Sequence, residues 1–325
     1  MDWSFAPEPV NFGRKQGTGT MTSLRAKLAN RYLRLTMKKK ALHLIEPADL
    51  RAYFEARRIP VYPRTVAIEA VADGAVKGEW QRPQSADGGR VILYLHGGGY
   101  VFGSAGLYRS MTMPMAAFAG ADLFSLDYRL APEHPCPAAI EDAAAAYEWL
   151  LARGVAAGRI VIGGDSAGGG LTLATLQALR DRGRPAPGCA FVYSPWADLA
   201  ATGASIAANA ARDCMFEEAT IRESAKRYAG SLDLKDPRVS PLYGDFRGLP
   251  PLLILASEDE MLIDDARRVA EKAKAAGVDV RFEPQGGLCH VWPLFYPLFP
   301  EARQALALTG EFIRSRTNQA RKAAA

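Results

Sequence analysis

A serine between small residues lies where an apolar run gives way to a helical pattern. The pentapeptide GDSAG (164–168) follows RIVIG (159–163) and precedes LTLATLQALR (171–180). A tight turn from a strand into a helix admits only small neighbours and exposes the Oγ atom of its serine, and the helix N-terminus favours negative charge beside it. This context predicts that Ser166 is a nucleophile. A phosphate-binding loop fits less well, because no lysine follows the glycines and Asp165 would repel a phosphate.

Three consecutive glycines form a second motif, HGGGY (96–100), directly after the apolar run VILYL (91–95). Residues without a Cβ atom leave their backbone N–H groups open to the close approach of a ligand oxygen. The amides of Gly97 and Gly98, together with the amide of Ala167, are therefore predicted to bind the oxyanion that forms when Ser166 attacks a carbonyl. The alternative is a flexible turn, but both motifs directly follow a predicted strand.

Strand-length apolar runs alternate with helical patterns over most of the chain. Residues 65–71 and 75–79 predict a hairpin, and later runs predict strands separated by helices at 91–95, 121–128, 159–163, 189–194, 251–257 and 278–283. Such alternation is typical of a mostly parallel sheet covered by helices on both faces. Residues 198–241 contain helical material but no clear strand. The first 58 residues predict two helices, the first with an apolar stripe of Leu24, Leu28, Tyr32 and Leu35.

Three segments resemble the hormone-sensitive-lipase-like branch, or family IV, of the α/β-hydrolases: HGGGYVFGS (96–104), DYRLAPEHPCPAAIEDA (127–143) and GDSAGGG (164–170). The resemblance implies an α/β-hydrolase fold with a mostly parallel eight-stranded sheet flanked by helices, a Ser/Asp/His triad and a helical cap. The chain would then divide into N-terminal cap helices (1–58), a first part of the core (59–197), a cap insertion (198–241) and a second part of the core (242–325). Carboxylesterase activity is the function that the resemblance implies.

His290 is the predicted general base. The acid and the histidine of such enzymes follow the serine along the chain, and of the four histidines only His290 lies downstream of Ser166. It lies in the loop after the predicted strand 278–283, and His-Val-Trp (290–292) is similar to the family's motif. A neutral imidazole suits proton transfer near neutral pH.

Carboxylates that follow the predicted strand 251–257 can supply the acid of the triad. The run DEMLIDD (259–265) is similar to the family's D-E-x-L-x-D-D, in which the first aspartate is the acid, so the resemblance assigns this role to Asp259. Asp264 is the alternative, although it also suits the first turn of a helix. Only the geometry decides between the two carboxylates.

The resemblance implies a serine carboxylesterase that hydrolyses short- to medium-chain acyl esters, because the helical cap of that family bounds the acyl pocket. Tyr100 and Trp196 are candidate walls of that pocket, and no metal or cofactor is needed. Hydrolysis of lactones, amides or carbamates would use the same triad. A non-catalytic ligand-binding relative, such as the plant gibberellin receptors, is disfavoured because those receptors lack the catalytic histidine.

The composition is that of an ordinary globular protein, with 49% hydrophobic and 23% charged residues, and its positive charge lies at one end. Residues 1–60 carry 12 Lys and Arg against 5 Asp and Glu, within a formal net charge of +5. We expect a solvated basic face and an apolar stripe packed on the rim of the active site, rather than contact with a lipid surface or with nucleic acid. Four cysteines without CxxC spacing, no span-length apolar run and no visible signal segment predict a cytoplasmic protein with reduced thiols. The resemblance also allows a homodimer through an edge strand, here 278–283.

Overall fold

The eight strands of the described residues form one sheet. The structure, a computed structural model, describes residues 22–58 and 65–323. In chain order the strands are β1 (Val66–Asp73), β2 (Val76–Pro83), β3 (Val91–Leu95), β4 (Asp122–Leu126), β5 (Ile160–Asp165), β6 (Cys189–Tyr193), β7 (Leu252–Ser257) and β8 (Val280–Gln285). They lie in the order β1-β2-β4-β3-β5-β6-β7-β8, with β2 antiparallel to β1 and β4 and every other neighbouring pair parallel. The predicted mostly parallel, eight-stranded sheet is confirmed.

Helices cover both faces of this sheet. They are α1 (Leu24–Thr36), α2 (Pro47–Glu55), α3 (Arg109–Ala119), α4 (Ala138–Ala152), α5 (Ala167–Asp181), α6 (Ser205–Ala208), α7 (Glu218–Ala229), α8 (Ile263–Ala275) and α9 (Pro300–Ala323). Buried side chains of α4, α5 and α8 form one hydrophobic core with the sheet, and those of α3 and α9 form another. The sequence predicts no helix at α3, whose interior contains Pro114, a residue that disfavours helix interiors.

The central parallel strands bring the chemically active loops to one edge of the sheet. Strands β3, β5, β6 and β7 are buried along their whole lengths, as parallel strands covered on both faces must be. Because their carboxyl ends meet at the same edge, the loops that follow them lie close together there. These loops carry the glycine motif after β3, Ser166 after β5 and the carboxylates after β7, and the loop after β8, which is parallel to β7, carries His290.

Two groups of helices lie outside the layers around the sheet. Helices α1 and α2 precede β1, and α6 and α7 lie between β6 and β7. They support the proposed division into cap segments (1–58 and 198–241) and core segments (59–197 and 242–325), of which residues 1–21, 59–64, 324 and 325 lie outside the described part. Within residues 22–58 and 65–323, no helix is both long and apolar enough to cross a membrane.

Helix α1 does not pack as its apolar stripe predicts. Leu24, Leu28, Tyr32 and Leu35 are 54–72% exposed, whereas Ala26 and Leu33 on another side of the helix are buried. The stripe does face the active site, since Leu28 and Tyr32 line the cavity that contains Ser166, but the prediction that its side chains are covered there was wrong. The predicted buried face was defined by the large apolar residues of the helix. Small alanines, however, let a helix approach its neighbours more closely than leucines do.

Candidate active site

Ser166 lies in a strained turn between β5 and α5. Its backbone has φ 51° and ψ −120°, a conformation that residues with a Cβ atom rarely adopt and that often marks a functional site. Hydrogen bonds hold the turn: the Ser166 amide donates to Tyr193 O at 2.8 Å, and the Ser166 carbonyl accepts from the Trp196 amide at 2.9 Å. The predicted placement of this serine between a strand and a helix is confirmed.

The glycines on either side of Ser166 leave no room for larger residues. A Cβ atom on Gly164 would lie 2.4 Å from Leu95 O, and one on Gly168 would lie 2.0 Å from the same oxygen. The turn therefore presses directly against the end of β3. This contact fixes Ser166 relative to the glycine motif that begins at His96.

His290 forms a buried pair with Glu260. The Nδ1 atom of His290 lies 2.7 Å from Glu260 Oε2, and the two side chains are 3% and 1% exposed. The other ring nitrogen, Nε2, is buried and has no hydrogen-bond partner among residues 22–58 and 65–323, and His290 and Ser166 line the same cavity. The Nε2 atom of His290 can therefore accept a proton from the serine or from a ligand.

The electrostatics of this pair favour a basic imidazole. Burial by itself lowers the pKa of His290, but the carboxylates of Glu260, Asp213 and Asp165 together raise it above its usual value. Burial raises the pKa of Glu260, and the contact with His290 opposes that rise. Glu260 Oε1 also accepts the Ser257 amide at 3.1 Å, which orients the carboxylate towards the ring.

The predicted acid, Asp259, does not contact His290, so that prediction was wrong. Its Oδ1 accepts Arg212 Nε at 2.9 Å and its Oδ2 accepts the Gly287 amide at 2.6 Å, away from the imidazole. The chain turns directly after β7, so neighbouring side chains point in different directions and the glutamate that follows Asp259 reaches the ring. The sequence signal for Glu260 is its presence in the same acidic run.

The alternative acid, Asp264, is also excluded by its position. Its Oδ2 accepts the Ser205 amide at 2.8 Å, and Asp264 lies in the first turn of α8. A carboxylate in the first turn favourably meets the positive end of the helix dipole. Asp264 therefore joins α8 to the cap insertion and does not belong to the site.

The glycine motif supplies a different pair of amides from the predicted one. The Gly97 amide donates to Asp165 Oδ1 at 2.9 Å, so it cannot also serve as a free donor as predicted. Gly98 and Gly99, with φ of 108° and 61°, line the cavity beside Ser166, and neither amide has a hydrogen-bond partner within the described ranges. Ala167 is the first residue of α5, where amides have no partner in the helix. The geometry thus offers Gly98, Gly99 and Ala167 as the oxyanion donors.

Asp165, next to Ser166, holds the glycine motif in place. Besides the Gly97 amide it accepts the hydroxyl of Tyr94 at 2.5 Å. Burial raises the pKa of Asp165 to about 6, even though these hydrogen bonds act in the opposite direction. The sequence gives no signal for this role, because Asp165 and Gly97 meet only in the folded chain.

A cavity of about 1190 Å³ has Ser166 and His290 in its wall. Its lining is mostly apolar and comes from both cap segments, with Leu28 and Tyr32 from α1 and Phe216 and Ile221 from the cap insertion. This volume is somewhat larger than the range of about 300–1,000 Å³ that is typical of ligand pockets. Both cap segments therefore shape the space in which a substrate would lie.

Of the two predicted pocket residues, only Trp196 is confirmed as part of the cavity lining. Trp196 lines the cavity, and its indole Nε1–H is buried with no partner among the described residues. Tyr100 is absent from the described lining, is 1% exposed, and stacks on Tyr228 of α7 with ring centroids 3.6 Å apart. Tyr100 therefore joins the glycine motif to the cap, so its prediction as a pocket wall was wrong.

Comparisons with known proteins agree with this fold. A family model described as the alpha/beta hydrolase fold matches residues 92–294. An acetyl-hydrolase of Streptomyces hygroscopicus is 45% identical over 254 residues, which cover 78% of this chain and 85% of that protein. The structure of EstE5 soaked with p-nitrophenyl butyrate has 39% identity and a TM-score of 0.88, covering 91% of this chain and 100% of that one. An esterase from the bacterial hormone-sensitive lipase family has 41% identity and a TM-score of 0.86, covering 92% and 100%.

The fold and the loops at the sheet edge define an α/β-hydrolase. Within that superfamily the chain belongs to the hormone-sensitive-lipase-like family, family IV, of carboxylesterases. It is a carboxylic ester hydrolase, and its substrates are small-molecule esters.

Proposed function

We propose that the protein hydrolyses short- to medium-chain acyl esters through an acyl-enzyme on Ser166, with His290 as the general base and Glu260 as the acid of the triad. The observation that carries the proposal is the buried His290–Glu260 pair, whose free Nε2 shares a cavity with Ser166. This is the arrangement of nucleophile, base and orienting carboxylate that acyl transfer requires.

The first half of the reaction forms the acyl-enzyme. His290 Nε2 takes the proton of Ser166 while Oγ attacks the ester carbonyl, and Glu260 stabilises the imidazolium that results. The amides of Gly98, Gly99 and Ala167 donate to the oxyanion of the tetrahedral intermediate. As the intermediate collapses, the bond to the alcohol breaks and His290 returns the proton to the leaving oxygen.

The second half repeats these steps with water. His290 removes a proton from a water molecule that attacks the acyl carbon, and the same three amides stabilise the second oxyanion. Ser166 then leaves with the proton from His290, which releases the carboxylic acid and restores the free enzyme. Every proton in this cycle passes through one ring nitrogen, so the protonation state of His290 controls both halves.

The preference for shorter acyl chains is supported by two of the similar proteins. One is an acetyl-hydrolase, and EstE5 was soaked with p-nitrophenyl butyrate. The test is kcat/KM for p-nitrophenyl esters with acyl chains of two to sixteen carbons. We expect a maximum below twelve carbons, and a maximum at twelve or more would contradict the proposed acyl range while leaving the mechanism intact.

A cytoplasmic location and a homodimer also remain proposals. All four cysteines are free and buried, which suits a reducing compartment. Among the described residues, strand β8 is at an edge of the sheet and has no strand paired with its outer side. The test is to replace by proline a β8 residue whose amide points away from β7. Light scattering of this variant and of the wild type then shows whether a dimer forms through β8.

A further inference from the structure

The peptide group that joins Glu260 to Met261 is bound by two side chains of the cap insertion. Asn209 Nδ2 donates to Glu260 O at 2.9 Å, and Asp213 Oδ2 accepts the Met261 amide at 3.0 Å. We propose that Asn209 and Asp213 are positioning residues, which hold Glu260 on His290 and so let the cap insertion control the general base without touching the substrate. This inference rests on the proposed function, in which Glu260 is the acid.

The side chains of Asn209 and Asp213 are both buried. Asn209 is 6% exposed and Asp213 is 3% exposed, and a buried polar group without its partner costs free energy. The amide of Asn209 also donates to Glu258 O at 2.9 Å, so one side chain holds two carbonyls of the loop after β7. These contacts join the cap to the acid loop in one geometry.

The Ser257 amide binds the Glu260 carboxylate, but the backbone of Glu260 is held only weakly by its own loop. It lies in a turn beyond the end of β7, and its amide makes only a 3.4 Å hydrogen bond to Ser257 O. A glutamate has more side-chain freedom than an aspartate, and a catalytic group must stay within about 0.5 Å of its productive position. The contacts of Asn209 and Asp213 to the peptide group after Glu260, at 2.9 and 3.0 Å, are shorter than this backbone hydrogen bond.

Asp213 also orders the side chain that packs against His290. Its Oδ1 accepts the amides of Met215 at 2.8 Å and Phe216 at 3.1 Å. The Phe216 ring then meets the His290 ring edge to face, with centroids 5.1 Å apart and an interplanar angle of 74°. One carboxylate thus supports both the acid and the aromatic neighbour of the base.

Helix α1 and the residues after it hold the positioning segment from the other side. Lys38 Nζ donates to the carbonyls of Ala210 and Asp213, the latter at 2.7 Å. Arg34 Nη2 donates to the Arg212 carbonyl at 2.9 Å. Two cations of the basic N-terminal region therefore bind the cap insertion, and both cap segments reach the triad through residues 209–213.

The test compares Asn209→Ala with a matched control, Ser240→Ala. Ser240 is also buried in the cap insertion and binds two backbone groups, accepting the Leu199 amide at 2.7 Å and donating to Leu234 O at 2.6 Å, but it does not contact the acid loop. Asn209→Ser, which keeps one shorter donor, serves as a second and milder variant. Circular dichroism at the assay temperature gives the folded fraction of each protein.

Two readouts separate positioning from a purely structural role. The first is kcat and KM for p-nitrophenyl butyrate against pH, per mole of folded protein. The second is the far-downfield proton resonance of His290 Nδ1–H, assigned by its loss in His290→Gln and followed against pH without substrate. The groups that face His290 are Glu260, Asp213 and Asp165, and only the contact with Glu260 is weakened directly in Asn209→Ala.

We expect Asn209→Ala to lower kcat by about 10–100-fold with little change in KM, as is usual when a group that orients a site residue is lost. Its acidic limb and the Nδ1–H titration should move to lower pH, with Asn209→Ser between it and the wild type. If Asn209→Ala and Asn209→Ser match Ser240→Ala in kcat, acidic limb and resonance, the inference is overturned. If the wild type does not hydrolyse the ester but the resonance shifts as expected, the proposed function fails while the positioning role stands.

Discussion

His290 and Glu260 form a hydrogen bond of 2.7 Å between Nδ1 and Oε2 inside the protein, and neither side chain is more than 3% exposed. A carboxylate in this position fixes the imidazole tautomer and stabilises the imidazolium that forms when the serine loses its proton. Because Glu260 binds Nδ1, the Nε2 atom of His290 is the ring nitrogen that can accept a proton. Within the acidic run, Glu260 is the carboxylate that contacts His290.

Replacement of Glu260 by glutamine should lower kcat by about 10³–10⁴-fold, because the uncharged amide stabilises neither the required tautomer nor the imidazolium. Asp259→Asn should cost less than about tenfold, since it weakens a partly exposed ion pair with Arg212. The measurement is kcat for p-nitrophenyl butyrate at saturating substrate. A loss of several orders of magnitude in Asp259→Asn, with Glu260→Gln active, would show that the acid is misassigned.

Activity should fall as the pH drops through a value above the usual pKa of a histidine. The base must be neutral, and the neighbouring carboxylates raise the pKa of His290 despite its burial, so protonation begins at a higher pH than for an exposed imidazole. The acidic limb of kcat/KM against pH gives this pKa in the free enzyme. In Glu260→Gln the limb should move to lower pH, and a limb that stays in place would mean that another group controls it.

Gly98→Ala should lower kcat by about 10²–10³-fold through loss of an oxyanion donor. A Cβ atom there would lie 2.0 Å from Phe102 O, so the loop would have to move away from Ser166. Gly154→Ala is the control: Gly154 also has a positive φ, 83°, but its Cβ would have nothing within 4 Å. The control should lose about 1–2 kcal/mol of stability and keep its kcat. A near-normal kcat for Gly98→Ala would show that the Gly98 amide is not an oxyanion donor.

The sequence predicts most of the sheet because its strands carry strong local signals. The run VILYL coincides with β3 at 91–95, and the small residues around Ser166 predict the turn into α5. His290 follows from chain order alone, since the other three histidines precede the serine. Helix α3 is missed because Pro114 breaks the expected pattern, although its neighbours are buried against the sheet.

The errors lie where two distant segments meet. Gly97 is misassigned because its amide is bound by Asp165, which only the fold brings beside it. Asp259 is misassigned because consecutive carboxylates point in different directions after β7, and the resemblance to a family motif cannot show which of them reaches His290. Tyr100 follows the glycine motif but stacks on Tyr228, a contact about 130 residues away along the chain.

Covalent labelling of the nucleophile tests the central claim most directly. The enzyme is treated with diethyl p-nitrophenyl phosphate, the released p-nitrophenolate is measured, and the modified peptide is identified by mass spectrometry. We predict one diethylphosphoryl group per chain, on Ser166, and a Ser166→Ala variant that is not labelled and whose kcat for p-nitrophenyl butyrate is lower by about 10⁵–10⁶-fold. Labelling at another residue, or a Ser166→Ala protein that still turns over the ester, would contradict an acyl-enzyme on Ser166.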